Sequence, residues 1–93
     1  MSNWSINFTK EAEKELKRAQ TLDPNNAGAH HLYGDYFEIM GRFEEAKAEL
    51  ERAVQLDDTL VNAHLELAAM AEARKDFVAA AASYEHALSH VPE

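Results

Sequence analysis

Small residues recur in this chain at a fixed step of 34 residues, and this period constrains the fold more than any other feature. Two registers hold only alanine, one with Ala12, Ala46 and Ala80 and the other with Ala19, Ala53 and Ala87. A third register holds Leu16, Leu50 and Tyr84. A period of this length is typical of helical hairpins that stack side by side, because one hairpin alone is too small to bury its apolar face.

The composition favours an all-α fold. Hydrophobic residues make up 46% of the 93 residues, and only three glycines and two prolines interrupt them. Ala, Glu and Leu are the most frequent residues, and these residues form helices at low cost, whereas the β-branched residues that favour strands are few. The sequence therefore predicts one small all-α domain over residues 1–93.

Hydrophobic periodicity and helix-end signals predict five helices. The first helix is expected to start at an N-cap on Thr9, and the second to end at Gly41, which readily adopts a left-handed conformation. Any of Asp57, Asp58 and Thr59 could cap the fourth helix. The predicted spans are residues 9–21, 27–40, 43–55, 60–74 and 77–90. Loops of roughly two to five residues require neighbouring helices to run antiparallel.

The chain resembles the tetratricopeptide repeat family. Residues 27–60 resemble one complete repeat of the family. The resemblance lies in the run 27–37, the run 41–46 and then Leu50, Ala53 and Leu56. Residues 61–93 resemble a second full repeat. The matching residues are Leu67, Ala68, Phe77, Ala80, Tyr84, Ala87 and Pro92. Residues 9–26 resemble the second half of another repeat. His30 and His64 stand where the family usually has Trp, and Asp58 replaces the closing Pro. The resemblance implies an alpha-alpha superhelix, a helical-hairpin solenoid of about two and a half repeats.

The repeat registers also predict which residues form the core. Small residues at Gly34, Ala68 and the alanine registers should let helices approach closely where they cross. Larger side chains are expected to fill the gaps between them, namely Tyr33, Phe37, Phe43, Leu67, Phe77 and Tyr84.

The resemblance implies a function as a protein–protein interaction module or scaffold that binds a peptide or partner helix in a concave groove. The groove residues on the second helix are expected to be His31, Leu32, Asp35, Glu38 and Ile39. Those on the fourth helix are expected to be Asn62, Leu65, Glu66, Ala69 and Glu72. This stripe contains four carboxylates and no Lys or Arg.

The charge of the stripe selects among partners. Family members that bind the carboxylate tails of heat-shock chaperones carry Lys, Arg and Asn here, whereas this chain has His31, Asp35, Asn62 and Glu66. An acidic tail should therefore be repelled, and a basic, amphipathic peptide or protein is the expected partner. The alternative is that the carboxylates only keep an exposed face hydrated.

The sequence argues against several other functions. The net charge of −8 is unfavourable for binding nucleic acid, and no apolar run is long enough to insert into a membrane. The chain has no cysteine and no motif of an active site, so neither an enzyme nor a cofactor is predicted. His86 and His90 are spaced for a metal ion, but no third ligand is evident, and no metal is predicted. No secretory signal is visible, so the expected location is cytoplasmic, or periplasmic if the chain is a fragment.

Apolar residues near both ends favour a structural alternative to peptide binding. Self-association into a homo-oligomer could use Trp4, Phe8, Tyr84, Leu88 and Val91. In this interpretation Trp4 and Phe8 precede the first helix, and the other residues lie on the uncapped last helix. A further alternative is a regulatory segment of a larger bacterial signalling or transcription protein, because the chain loosely resembles repeat arrays appended to bacterial winged-helix regulators.

Overall fold

The structure, a computed structural model, describes residues 3–90, with side chains from residue 10 onward. It contains five α-helices, α1 (Asn3–Leu22), α2 (Ala27–Ile39), α3 (Phe43–Leu56), α4 (Val61–Ala73) and α5 (Phe77–Ser89). No strand occurs in residues 3–90, and the predicted all-α class is confirmed. Within this range no helix combines the length and apolar character that crossing a membrane requires.

The helices stack as two hairpins and a leading helix. α2 packs most extensively on α3, and α4 on α5, while smaller contacts join α1 to α2 and α3 to α4. Three or four residues separate consecutive helices, so neighbours run antiparallel. The particle measures 45 × 30 × 22 Å. The predicted superhelix of about five antiparallel helices is confirmed.

Two helices end in the same way at positions 34 residues apart. Gly41 has φ +76°, and the N–H groups of Gly41 and Arg42 donate to the carbonyls of Glu38 and Phe37. This pattern is the Schellman motif, which needs a left-handed residue just past the helix. Lys75 takes the same role after α4 with φ +62°, although its side chain makes that conformation costly.

The helix starts differ in part from the predictions. α1 begins at Asn3, so Thr9 lies inside the helix and is not its N-cap. α4 has Leu60 as its N-cap and no side-chain capping bond. Asp57 is the C-cap of α3 and not the N-cap of α4, and its carboxylate accepts from the backbone N–H and the hydroxyl of Thr59, which closes a local turn.

The core consists of small residues and a few large ones. The alanines of the two registers that fall in α3 and α5 are buried, and the side chains of Leu50 and Ala53 have no exposed surface. The rings of Tyr33 and Phe37 stack with their centroids 4.4 Å apart. His64 is also buried and occupies the place where Trp was expected.

For three aromatic residues, the prediction that they lie in the core is wrong. Phe43, Phe77 and Tyr84 remain 54%, 65% and 37% exposed. Phe43 and Phe77 are the first residues of α3 and α5, so each lies at a helix end. Tyr84 lies on α5, the last helix in the described part of the chain.

Candidate functional site

The predicted groove residues of α2 and α4 meet at one ion pair. His31 Nε2 on α2 lies 2.9 Å from Glu66 Oε1 on α4, although the two residues are 35 positions apart in sequence. Asp35, one turn after His31, places Oδ2 3.7 Å from the same imidazole nitrogen. The structure therefore brings three predicted groove residues together at the junction of two hairpins.

Crowding of the two carboxyl groups changes the acidity of Glu66. Partial burial, and after it the nearby carboxyl of Asp35, raise the pKa of Glu66 against the opposing hydrogen bond with His31, and the net result is a pKa of about 7. Near neutral pH this carboxyl group is therefore poised between its protonated and ionised forms.

Two carboxylate oxygens on this face have no partner. Oε2 of Glu38 and Oε2 of Glu66 are both shielded from solvent, and neither accepts a hydrogen bond from the described residues. A buried acceptor without a donor is costly, so each oxygen favours any group that supplies a proton or positive charge. The face therefore favours a cation more strongly than its number of carboxyl groups alone would suggest.

An apolar pocket of about 320 Å³ adjoins this acidic face. It lies between the start of α3 and the second half of α4, and it is lined by Glu38, Phe43, Ala69, Met70, Ala73 and Arg74. The sequence assigned Phe43 to the core, so its part in this pocket was missed. The exposure of an aromatic ring at the first position of α3 could have been suspected from its place at the helix end.

The pocket places one basic residue beside the predicted stripe, which itself contains none. Arg74 follows α4 and reaches the pocket wall. Its guanidinium lies 2.6 Å from Glu44 Oε1 on α3, so its charge is already paired. The pocket thus remains acidic on the side of Glu38.

The other predicted groove residues are mostly exposed. Leu32, Ile39 and Leu65 are 60%, 84% and 40% exposed, and Asn62, Ala69 and Glu72 are also exposed. Glu72 differs from the other acidic groups, because its carboxylate accepts a hydrogen bond from the hydroxyl of Tyr84 on α5. This bond raises the pKa of Tyr84.

The residues predicted for self-association are described only in part. Tyr84 and Leu88 are 37% and 69% exposed on α5. The backbone of Trp4 and Phe8 belongs to α1, so the prediction that they precede the first helix is wrong. The side chains of Trp4 and Phe8, and the whole of Val91, lie outside the part of the chain that the structure describes.

A second titratable cluster forms around Asp58. The ring of His64 stacks on those of His86 and His90, with centroids 5.2 and 6.5 Å away. Asp58 Oδ2 lies 2.9 Å from His90 Nε2, and Oδ1 lies 3.2 Å from His64 Nε2. The hydrogen bond with His90 holds the pKa of Asp58 below its ordinary value.

This cluster corrects the view that no third histidine or carboxylate lies near His86 and His90. The sequence missed it because His90 and Asp58 are 32 residues apart. The three imidazole rings are nearly parallel. Among the described residues, only His31, Asp35 and Glu66 bring one metal-ligating atom each to within 4.8 Å of one another.

Comparison with known proteins supports the predicted family. Residues 27–60 match the family model described as tetratricopeptide repeat. Fifteen chains of solved structures also match, among them the crystal structure of MamA, with a TM-score of 0.83 and 22% sequence identity over 95% of this chain. The chain spans 52% of that structure. No curated protein sequence matches at a significant level.

These similarities confirm the tetratricopeptide repeat at residues 27–60 and the helical-repeat fold. Repeats of this family are generally non-enzymatic modules that bind proteins or peptides. At 22% identity, the likeness to MamA describes the fold of the chain.

Proposed function

We propose that the face formed by α2 and α4 binds a peptide or partner helix that combines Lys or Arg with apolar side chains. The observation that carries this proposal is the pair of shielded, unpartnered oxygens of Glu38 and Glu66. An ammonium or guanidinium group supplies several donors, and a charge-assisted hydrogen bond of this kind is about twice as strong as a neutral one.

The pocket beside Glu38 explains why the partner should also be apolar. Its wall is formed by Phe43, Ala69, Met70 and Ala73, and Phe43 is 54% exposed. A helix that places an apolar residue in this pocket can place a Lys or Arg one turn away, toward Glu38. The exposed Ile39 extends the apolar surface next to it.

The proposal is tested by titrating a labelled amphipathic Lys-rich peptide into the protein at low and high salt. Glu38→Lys is expected to weaken binding about tenfold or more, because it replaces an attraction with a repulsion that salt only partly screens. Glu85→Lys is the matched control, since it makes the same charge change at an exposed position of α5. Equal losses in both variants would show that only net charge matters.

Salt separates this proposal from the alternative of a merely hydrated face. Binding to the wild-type chain should weaken as salt rises, yet a salt-resistant part should remain and should fall with Phe43→Ala. Absence of binding at low salt would leave the carboxylates as solubilising groups and reject the peptide site.

Self-association is a second candidate function, and one observation favours it. Leu50 on α3 is wholly buried, whereas Tyr84, 34 residues later on α5, is 37% exposed, and Leu88 beside it is 69% exposed. Leu50 lies against Gly34 on α2, and we infer that a second copy of the chain covers the exposed surface of Tyr84 and Leu88 on α5.

Analytical ultracentrifugation across concentration tests the oligomer. The average mass of the wild-type chain should rise with concentration, and Leu88→Glu should keep the chain monomeric. Leu22→Glu is the control, because Leu22 is also well exposed (76%) but ends α1. A wild-type chain that stays monomeric at high concentration would contradict this candidate.

A further inference from the structure

We propose that His31, Asp35 and Glu66 form a binding site for one divalent transition-metal ion of the Zn²⁺ type, which would join α2 to α4 on the concave face. The sequence predicts no metal in this chain. The proposal rests on a contact between residues 35 positions apart, which only the folded chain creates.

The spacing of the three side chains suits such an ion. Two ligands of a tetrahedral zinc ion, each bonded at about 2.0–2.1 Å, lie roughly 3.3 Å from each other. The imidazole nitrogen of His31 lies 2.9 Å from Glu66 Oε1 and 3.7 Å from Asp35 Oδ2. All three ligand atoms lie within 4.8 Å of one another. Small side-chain rotations are therefore enough to close the site.

The types of ligand select the class of metal. One imidazole and two carboxylates suit Zn²⁺ and its neighbours, whereas Ca²⁺ and Mg²⁺ prefer oxygen ligands alone. His31 and Asp35 lie four residues apart on one face of α2, so the helix itself holds two of the ligands in position. Three protein ligands leave a fourth coordination position open.

In the described part of the chain, neither Asp35 nor Glu66 forms an ion pair with Lys or Arg, and their partner is His31. Independently of this pairing, Glu66 Oε2 is shielded from solvent and accepts no hydrogen bond. Two carboxyl groups, one of them with an unsatisfied oxygen, thus face the position proposed for the cation.

The Asp58 cluster shows why a count of histidines is not enough. It contains three imidazoles and a carboxylate, but the rings of His86 and His90 stack nearly parallel to that of His64, with centroids 5.2 and 6.5 Å away. The site at His31 has fewer imidazoles and a better arrangement of ligand atoms. The two clusters therefore allow two arrangements of ligand atoms to be compared within one chain.

The test is calorimetric titration of ZnCl₂ into the EDTA-stripped chain at neutral pH, repeated with Co²⁺ to record the visible absorption of a tetrahedral ion. We expect one ion per chain. His31→Ala and Glu66→Gln should each weaken binding about tenfold or more and remove the Co²⁺ spectrum. Far-UV circular dichroism verifies that both variants remain helical.

The double variant His86→Ala, His90→Ala is the control, because surface histidines can bind zinc without a built site. It should bind as tightly as the wild-type chain. Three results would overturn the proposal: no saturable binding, binding undiminished by Glu66→Gln, or binding lost in the histidine control. No peptide is present in these titrations, so their outcome is independent of the proposed peptide function.

Discussion

A Cβ atom built on Gly34 would lie 2.8 Å from Cγ of Leu50. It would also lie 3.3 Å from the backbone oxygen of Ala46. Both neighbours are on α3 and wholly buried. The close approach of α2 to α3 at Gly34 therefore depends on the absence of a side chain on this residue.

Gly34→Ala is predicted to destabilise the chain. Overpacking of a filled core costs about 1–3 kcal/mol, while the better helix propensity of Ala returns up to about 1 kcal/mol. The steric cost should prevail, and a loss of 1 kcal/mol lowers the melting temperature by about 4–8 °C in a domain of this size. Gly28→Ala is the control, because its new Cβ would meet only the Asn26 side chain, at 3.2 Å. Equal melting temperatures for both variants would contradict the close contact.

Lys75→Gly is predicted to stabilise the chain by about 0.5–1 kcal/mol. Lys75 has φ +62°, a conformation that glycine adopts without a steric penalty, and Gly41 already holds the equivalent position after α2. Thermal unfolding measures the gain. Lys75→Ala separates the backbone effect from the loss of charge, because Ala keeps the strain. A gain of the same size in Lys75→Ala would assign the effect to charge.

Ala53→Leu is predicted to lower the free energy of unfolding by about 1–3 kcal/mol. Ala53 has no exposed surface and lies in the alanine register that lets the helices approach. Ala48→Leu makes the same change at an exposed position of α3 and should be nearly neutral. Denaturant unfolding of both variants gives the comparison, and a wild-type value for Ala53→Leu would mean that the helices can separate without cost.

Stability is predicted to fall as the pH rises toward 7, through Glu66. The folded chain raises the pKa of Glu66 from 4.5 to about 7, so the folded state holds this proton more tightly than the unfolded state. The resulting stabilisation is complete below pH 4.5 and is lost as the pH rises through about 7.

The Glu66→Gln variant isolates this contribution, because Gln cannot ionise. Its melting temperature, measured in EDTA, should rise relative to that of the wild-type chain as the pH increases from 4.5 to 8. Glu85→Gln, an exposed control on α5, should follow the wild-type curve. Parallel curves for Glu66→Gln and the wild-type chain would show that Glu66 is not strained in the folded state.

The helix ends show how far local signals can predict a structure. Gly41 ends α2 as predicted, because a left-handed residue is a property of the backbone at that point. Thr9 failed as an N-cap, since α1 already begins at Asn3. Leu60, without a capping side chain, starts α4, because the packing of α4 against α3 and α5 positions that helix regardless of its cap.

The candidate site shows a different limit. Helical spacing predicted the stripe on α2 and α4, and His31, Asp35 and Glu66 are among its residues. Their mutual distances did not follow, because the contact of His31 with Glu66 depends on how α4 packs beside α2 and on the side-chain rotamers at that junction. The pocket at Phe43 was missed for the same reason.

The sequence alone determined the number of helices, the tetratricopeptide repeat at residues 27–60 and the small residues of the core. Periodicity reports these features because each depends on spacing along one helix or on the 34-residue step. Only the tertiary structure decided which charged groups meet, as at Glu66 and at Asp58. Electrostatic energy depends on distances of a few ångströms between residues far apart in the chain, and the order of residues does not contain those distances.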